Sequence, residues 1–156
     1  MRSTKCGFKD VAGGATGATL LVSHGPTLLV DIGFDPTFVS GTDIKKTPIA
    51  GITGIHALVD TGAYESCIDS LLASQLNLPI VDRRRVSGSA GPHEVNVYLA
   101  QVHIPSLAYT IYGAFAGVEL KAGGQMHSAL IGRTFLSRFR MVYNGPTGDV
   151  ELTSET

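Results

Sequence analysis

The chain has 156 residues, 44% of them hydrophobic, enough for one domain with a real core and too few for two of ordinary size. A two-lobed enzyme of about three hundred residues is therefore not expected. Charged residues are 16% of the chain, and 12 basic against 13 acidic side chains leave a formal net charge of −1, so no whole-molecule field draws it to nucleic acid or an anionic membrane.

Residues 1–17 mix Lys, Gly, Ala, Ser and Thr without periodicity and read as a flexible N-terminal tail that contains Cys6; 18–156 read as a single domain. Gly13-Gly14-Ala15-Thr16-Gly17 lacks both the Gly-Lys-Ser/Thr ending and the preceding strand of a phosphate-binding loop. Thr19–Val22 and Thr27–Ile32 read as two strands of a hairpin joined by Ser23-His24-Gly25-Pro26. Ala57-Leu58-Val59 is short and continuously apolar, the pattern of a strand buried on both faces. Asp69–Leu76 reads as a short helix, with Asp69 as its cap and Pro79 just past its end. In Glu94–Ile104, Val95, Val97 and Leu99 alternate with Asn96, Tyr98 and Ala100, as in a half-exposed strand. Tyr109–Tyr112, Ser128–Ile131, Met141–Tyr143 and Asp149–Leu152 are further strands, Gly113–Gly117 reads as a turn, and Thr134–Phe139 as a second short helix. Asn144–Gly148 is a hairpin loop. Short strands with two helical insertions predict an all-β barrel or sandwich.

The stretch that carries chemistry is Ala57-Leu58-Val59-Asp60-Thr61-Gly62-Ala63. An apolar strand ends in Asp, a small hydroxyl residue and Gly, so a carboxylate is lifted from a buried strand onto a sharp turn that Gly readily permits. The Thr61 hydroxyl can lock such a turn. The plain alternative is an Asx-type turn with a solvated Asp.

Context sharpens the choice. Asp60-Thr61-Gly62-Ala63 after three apolar residues, followed by Ser66 and a short helix, resembles the active-site loop of aspartic peptidases. Ala129-Leu130-Ile131-Gly132-Arg133-Thr134-Phe135-Leu136 resembles the second signature of that family, two apolar residues and Gly, then Arg and a short helix. The distance from Asp60 to Gly132, 72 positions, is similar to that in the single-lobe, retropepsin-like branch, and the likeness is to bacterial or cellular members more than viral ones. It spans Ala57 to Leu152.

The resemblance implies an all-β, small closed barrel of the retropepsin type with two short helices and a homodimeric active site. It implies an aspartic endopeptidase with a polypeptide substrate: Asp60 is catalytic, and Thr61, Gly62 and Ala63 complete its loop. Ser87, Gly88, Ser89, Ala90 and Gly91 fall where the family has its flap, and Leu130, Ile131, Gly132 and Arg133 form the structure behind the dyad. Two carboxylates about 3 Å apart cannot both ionise, so in that family one holds a proton while the other activates water, without metal or other cofactor. This chain has one Asp-Thr-Gly; in Asp31-Ile32-Gly33, Ile32 lacks the hydroxyl and Asp31 reads as structural. The second carboxylate then comes from a second copy across a two-fold axis.

The chain departs from the family pattern in places. The two residues after Ala63, often acidic in retroviral relatives, are Tyr64 and Glu65, so the acid that pairs with Arg133 is Glu65 or is missing. The flap tip has no aromatic residue. Residues before Asp60 exceed those of a minimal retroviral protease, and the expected hairpin at Thr19–Ile32 fits a brace, a cover over the site or a removable pro-segment. Arg83-Arg84-Arg85 reads as a solvated loop. The five histidines and two cysteines lack metal-site spacing. No signal-peptide pattern or eighteen-residue apolar run occurs, so a cytoplasmic protein, with no nucleic-acid or membrane partner, is expected. Two other functions compete: a catalytically silent, dimeric peptide-binding or scaffolding module of the same fold, and a small β-barrel ligand binder with a coincidental turn.

Overall fold

The computed structural model describes residues 1–37, 51–88 and 91–155. Strands take 49% of the described residues, and the elements run β1 (Ser3–Lys5), α1 (Gly17–His24), β2 (Thr27–Gly33), β3 (Ile52–Val59), β4 (Cys67–Asp69), α2 (Ser70–Gln75), β5 (Ile80–Gly88), β6 (Gly91–Ile104), β7 (Tyr109–Val118), β8 (Ala129–Ile131), α3 (Arg133–Leu136), β9 (Phe139–Asn144) and β10 (Asp149–Ser154). The larger sheet has the order β2-β3-β8-β4-β7-β6-β5, and β2 also pairs with β6, so six strands close a barrel and β5 hangs outside the ring on β6. Val30, Ile32, Ile68, Ala100, Val102, Ile104 and Ile131 fill the core, each no more than 1% exposed. The smaller sheet, β1-β10-β9, adds Val150 and Leu152 to the same core.

The short segment Thr19–Val22 lies in α1 and is not a strand. Its ends carry helix signals: the Thr16 side chain accepts from the Thr19 amide, and Gly25 sits just past the end at φ 71°, a conformation that Gly adopts at no steric cost. Leu21 is buried while Val22 is 84% exposed, so of the three apolar residues Leu20, Leu21 and Val22 one is fully buried in the core. The N-terminal segment, expected as a loose tail, supplies β1, which pairs antiparallel with β10 from Ser3↔Thr153 to Lys5↔Glu151. Cys6 is 1% exposed, its carbonyl accepts from the Thr27 amide, and burial pushes its thiol up to about 12. With Cys6 and Leu21 both in the core, the region ahead of β2 braces the barrel.

Two further corrections concern glycine and arginine. Gly113–Gly117 is not a turn but the middle of β7, which continues to Val118. Gly117 is needed there because a Cβ would come within 2.6 Å of the Tyr98 ring on the neighbouring strand. Arg83–Arg85 lie within β5, not a loop. The second helix expected at the chain's C-terminal end stops at Leu136, and Phe139 opens β9, stacked on Phe135 with ring centres 4.6 Å apart. Helix α2 begins at Ser70, with the Asp69 carboxylate accepting from the Leu72 amide as its cap.

Candidate active site

Strand β3 ends at Val59, and β4 begins at Cys67. Between them in the sheet lies β8, parallel to β3 (Val59↔Ile131) and antiparallel to β4 (Cys67↔Leu130). The chain from Asp60 to Ser66 therefore has to arch over the end of β8, where Gly132 follows. This topology brings Asp60-Thr61-Gly62-Ala63 onto Leu130-Ile131-Gly132-Arg133, although some seventy positions separate them.

Backbone bonds tie the arch to what lies beneath it. The Asp60 amide donates to the Ile131 carbonyl at 2.9 Å, the Arg133 amide to Ala63 at 2.9 Å and the Thr134 amide to Tyr64 at 3.0 Å. The Gly132 amide donates to the Ser66 hydroxyl at 3.0 Å. A Cβ at position 132 would sit 2.5 Å from the Glu65 carbonyl, so only Gly lets the arch descend this far. Ser66, 7% exposed, stands in the sequence only as a residue between the Asp-Thr-Gly-Ala stretch and the short helix, and its hydroxyl's role needs the tertiary contact.

The carboxylate stands on this support. Asp60 Oδ1 accepts from the Gly62 amide at 2.8 Å, which fixes its orientation within the turn. Asp60 is half-buried, while Thr61 and Gly62 are exposed, so the loop presents an open face. Thr61 does not lock the turn through its hydroxyl, which has no hydrogen-bond partner among the described residues; its carbonyl instead accepts from Arg133 Nη1 at 2.8 Å. Among the described residues Arg133 is thus anchored on the loop backbone and not on an acid. Glu65 pairs with Arg84 of β5.

Burial pushes the Cys67 thiol, beside the arch, up to about 11, and the Glu65 and Asp60 carboxylates push the same way against Arg84. It is a protonated thiol at neutral pH and a poor nucleophile. On the far side of β3, His127 is 2% exposed and its Nε2 lies 2.9 Å from Thr27 Oγ1. Its Nδ1 has no hydrogen-bond partner among the described residues.

Of the residues assigned to a flap, Ser87 and Gly88 end β5 and Gly91 opens β6, with Gly88 opposite Gly91 in the pairing. Ser89 and Ala90 lie outside the described residues. Among the described residues, Ser87, Gly88 and Gly91 make no hydrogen bond to the Asp60 loop; the side-chain bond between hairpin and arch is the Arg84–Glu65 pair. No group of three or more His, Cys, Asp or Glu among the described residues is placed to hold a metal ion, and no helix among them is long and apolar enough to cross a membrane. No known family model and no curated protein matches the chain.

Proposed function

We propose that the chain is half of a retropepsin-like aspartic endopeptidase, with two copies meeting so that the Asp60 carboxylates share one site. The observation that carries the reading is the loop itself: a carboxylate oriented by the Gly62 amide, on an open face, held from beneath by a strand inserted between the loop's own two ends. An acid that only needed solvation would not require a collision-limited Gly132 or a guanidinium on the Thr61 carbonyl. The Thr61 hydroxyl, without a hydrogen-bond partner among the described residues, and the exposed Thr61 and Gly62 suit an isologous contact with a second copy.

In this mechanism the paired carboxylates hold one proton between them, since the second ionisation is opposed by the first. The charged member takes a proton from water, which attacks the peptide carbonyl. The protonated member donates to the carbonyl oxygen as negative charge develops there. The carboxyl that took the proton from water then passes it to the amide nitrogen as the C–N bond breaks, while the other carboxylate takes a proton from a hydroxyl of the diol, which restores the dyad. The chain's backbone supplies orientation, so little reorganisation is needed at the moment of reaction.

The test is Asp60→Asn, assayed on a peptide library from acid to neutral pH beside sedimentation over a concentration series. Cleavage should fall by on the order of 10⁴-fold, and wild-type activity should drop faster than linearly on dilution. Undiminished cleavage in the variant, or a strict monomer that still cleaves, defeats the proposal. A stable dimer that cuts nothing favours the peptide-binding module, a reading to which Tyr64, 69% exposed beside the loop, contributes a ready apolar contact.

A further inference from the structure

We propose that the Arg84–Glu65 ion pair sets how the β5–β6 hairpin sits over the Asp60 loop, which makes Arg84 a positioning residue for a peptide bound between them; the peptide part rests on the function proposed above. Strand β5 lies outside the closed ring and, among the described strands, pairs with β6 alone. A hairpin arm held on one side has few contacts to resist local opening, so a single tie to the body of the protein weighs heavily on its position.

The three consecutive arginines are not equivalent. Side chains alternate across a strand, so Arg84 points opposite to Arg83 and Arg85. Arg83 makes a loose 4.0 Å contact with Glu94 within the hairpin, and both side chains are more than 60% exposed. Arg84 leaves the hairpin to meet Glu65, with the two side chains 39% and 44% exposed. Its cross-strand neighbour, Val95, is 9% exposed, as expected for the face turned toward the protein.

The other end of the tie is fixed. Glu65 belongs to the arch, its backbone packed over Gly132 and its carbonyl accepting from the Cys67 thiol at 3.7 Å. The pair therefore joins the outlying hairpin to the part of the loop that β8 supports. It also occupies Glu65, the acid after the Asp-Thr-Gly-Ala motif, and leaves Arg133 to the Thr61 carbonyl. A half-exposed ion pair adds little to global stability, so its effect should be local.

The experiment is amide hydrogen exchange on the full chain and on the Arg84→Ala, Glu65→Gln and charge-exchanged Glu65→Arg/Arg84→Glu variants. In the single variants, amides of 80–88 and 91–97 should exchange about two- to fivefold faster. Amides of β3 and β8 and the thermal midpoint should not move, and the exchanged pair should recover protection. Unchanged hairpin exchange in both single variants overturns the tie, whether or not the protein cleaves anything. Where the wild type cleaves peptide, Arg84→Ala should raise KM severalfold at nearly constant kcat, with Arg84→Lys recovering part of it. Faster hairpin exchange with an unmoved KM overturns the positioning role. A wild type that cleaves nothing defeats the peptidase reading, and the exchange result alone then decides the tie.

Discussion

Asp31-Ile32-Gly33 and Asp60-Thr61-Gly62 share a spacing and end in different surroundings. Asp31 lies inside β2, 5% exposed, where its Oδ1 accepts from the Gly54 amide at 2.9 Å. A bulge between Val30 and Ile32 shifts the pairing with β3, and β6 picks up Asp31–Gly33 on the other edge. The strand continues through its Asp-x-Gly. Strand β3 has no such continuation: its partner β8 ends at Ile131, level with Val59, and the chain turns over that end. One carboxylate becomes a buried acceptor in the barrel wall and the other a half-exposed group on an open loop. The tripeptide does not decide between them; the length of the neighbouring strand does.

Matched substitutions should separate the two acids most widely. Asp60→Asn is expected to abolish cleavage with the thermal midpoint unchanged, whereas Asp31→Asn should leave the rate per folded molecule intact, and a comparable loss of rate in both would erase the distinction. Next in size is Gly132→Ala, which drives a methyl to 2.5 Å from the Glu65 carbonyl and 3.0 Å from that of Ala63. A cost of about 3 kcal/mol is expected in denaturant unfolding, together with loss of activity in the fraction that folds, because the arch must lift.

Asp31→Ala should be smaller and purely a matter of stability. It leaves the Gly54 amide without its carboxylate acceptor, for about 1–3 kcal/mol. A thermal midpoint close to wild type would show that Asp31 is not a structural acceptor in the barrel wall. The smallest effect belongs to His127, which leads into β8 beneath the Asp60 loop and lies, through Nε2, 2.9 Å from Thr27 Oγ1 at the start of β2. Burial lowers its pKa below 6.5, and His56, His24 and Lys121 act in the same direction. Between 6.5 and that lower value the unfolded chain binds a proton that the folded one does not, so stability falls as pH drops through this window and levels off below it. The slope should not exceed about 1.4 kcal/mol per pH unit. His127→Asn should flatten it in melts taken from pH 7.5 to 5.

What could be read from the chain was set by short-range forces. The Gly62 amide reaches Asp60 across two residues, the Asp69 cap reaches Leu72 across three, and the loop after Asn144 closes within a few positions. Such bonds form wherever the local sequence occurs, and so the Asp60 turn, α2 and the last hairpin are legible as sequence. Thr19–Val22 looks like a strand but is helical because three consecutive apolar residues carry no period, and the caps at Thr16 and Gly25 outweigh that look.

The rest depended on which distant strands pair. β1 joins β10 across nearly the whole chain, β8 slips between β3 and β4, and Arg84 finds Glu65 from β5, which β6 and β7 separate from β4 in the sheet. Each such contact closes a long loop, and the chain entropy lost is repaid only when a whole barrel forms at once. The sequence by itself determined a carboxylate on a Gly turn and the apolar strand before it. The tertiary structure alone decided that this turn, and not the one at Asp31, would stand on a buried strand with its face open, because strand ends are set by partners that no local window contains.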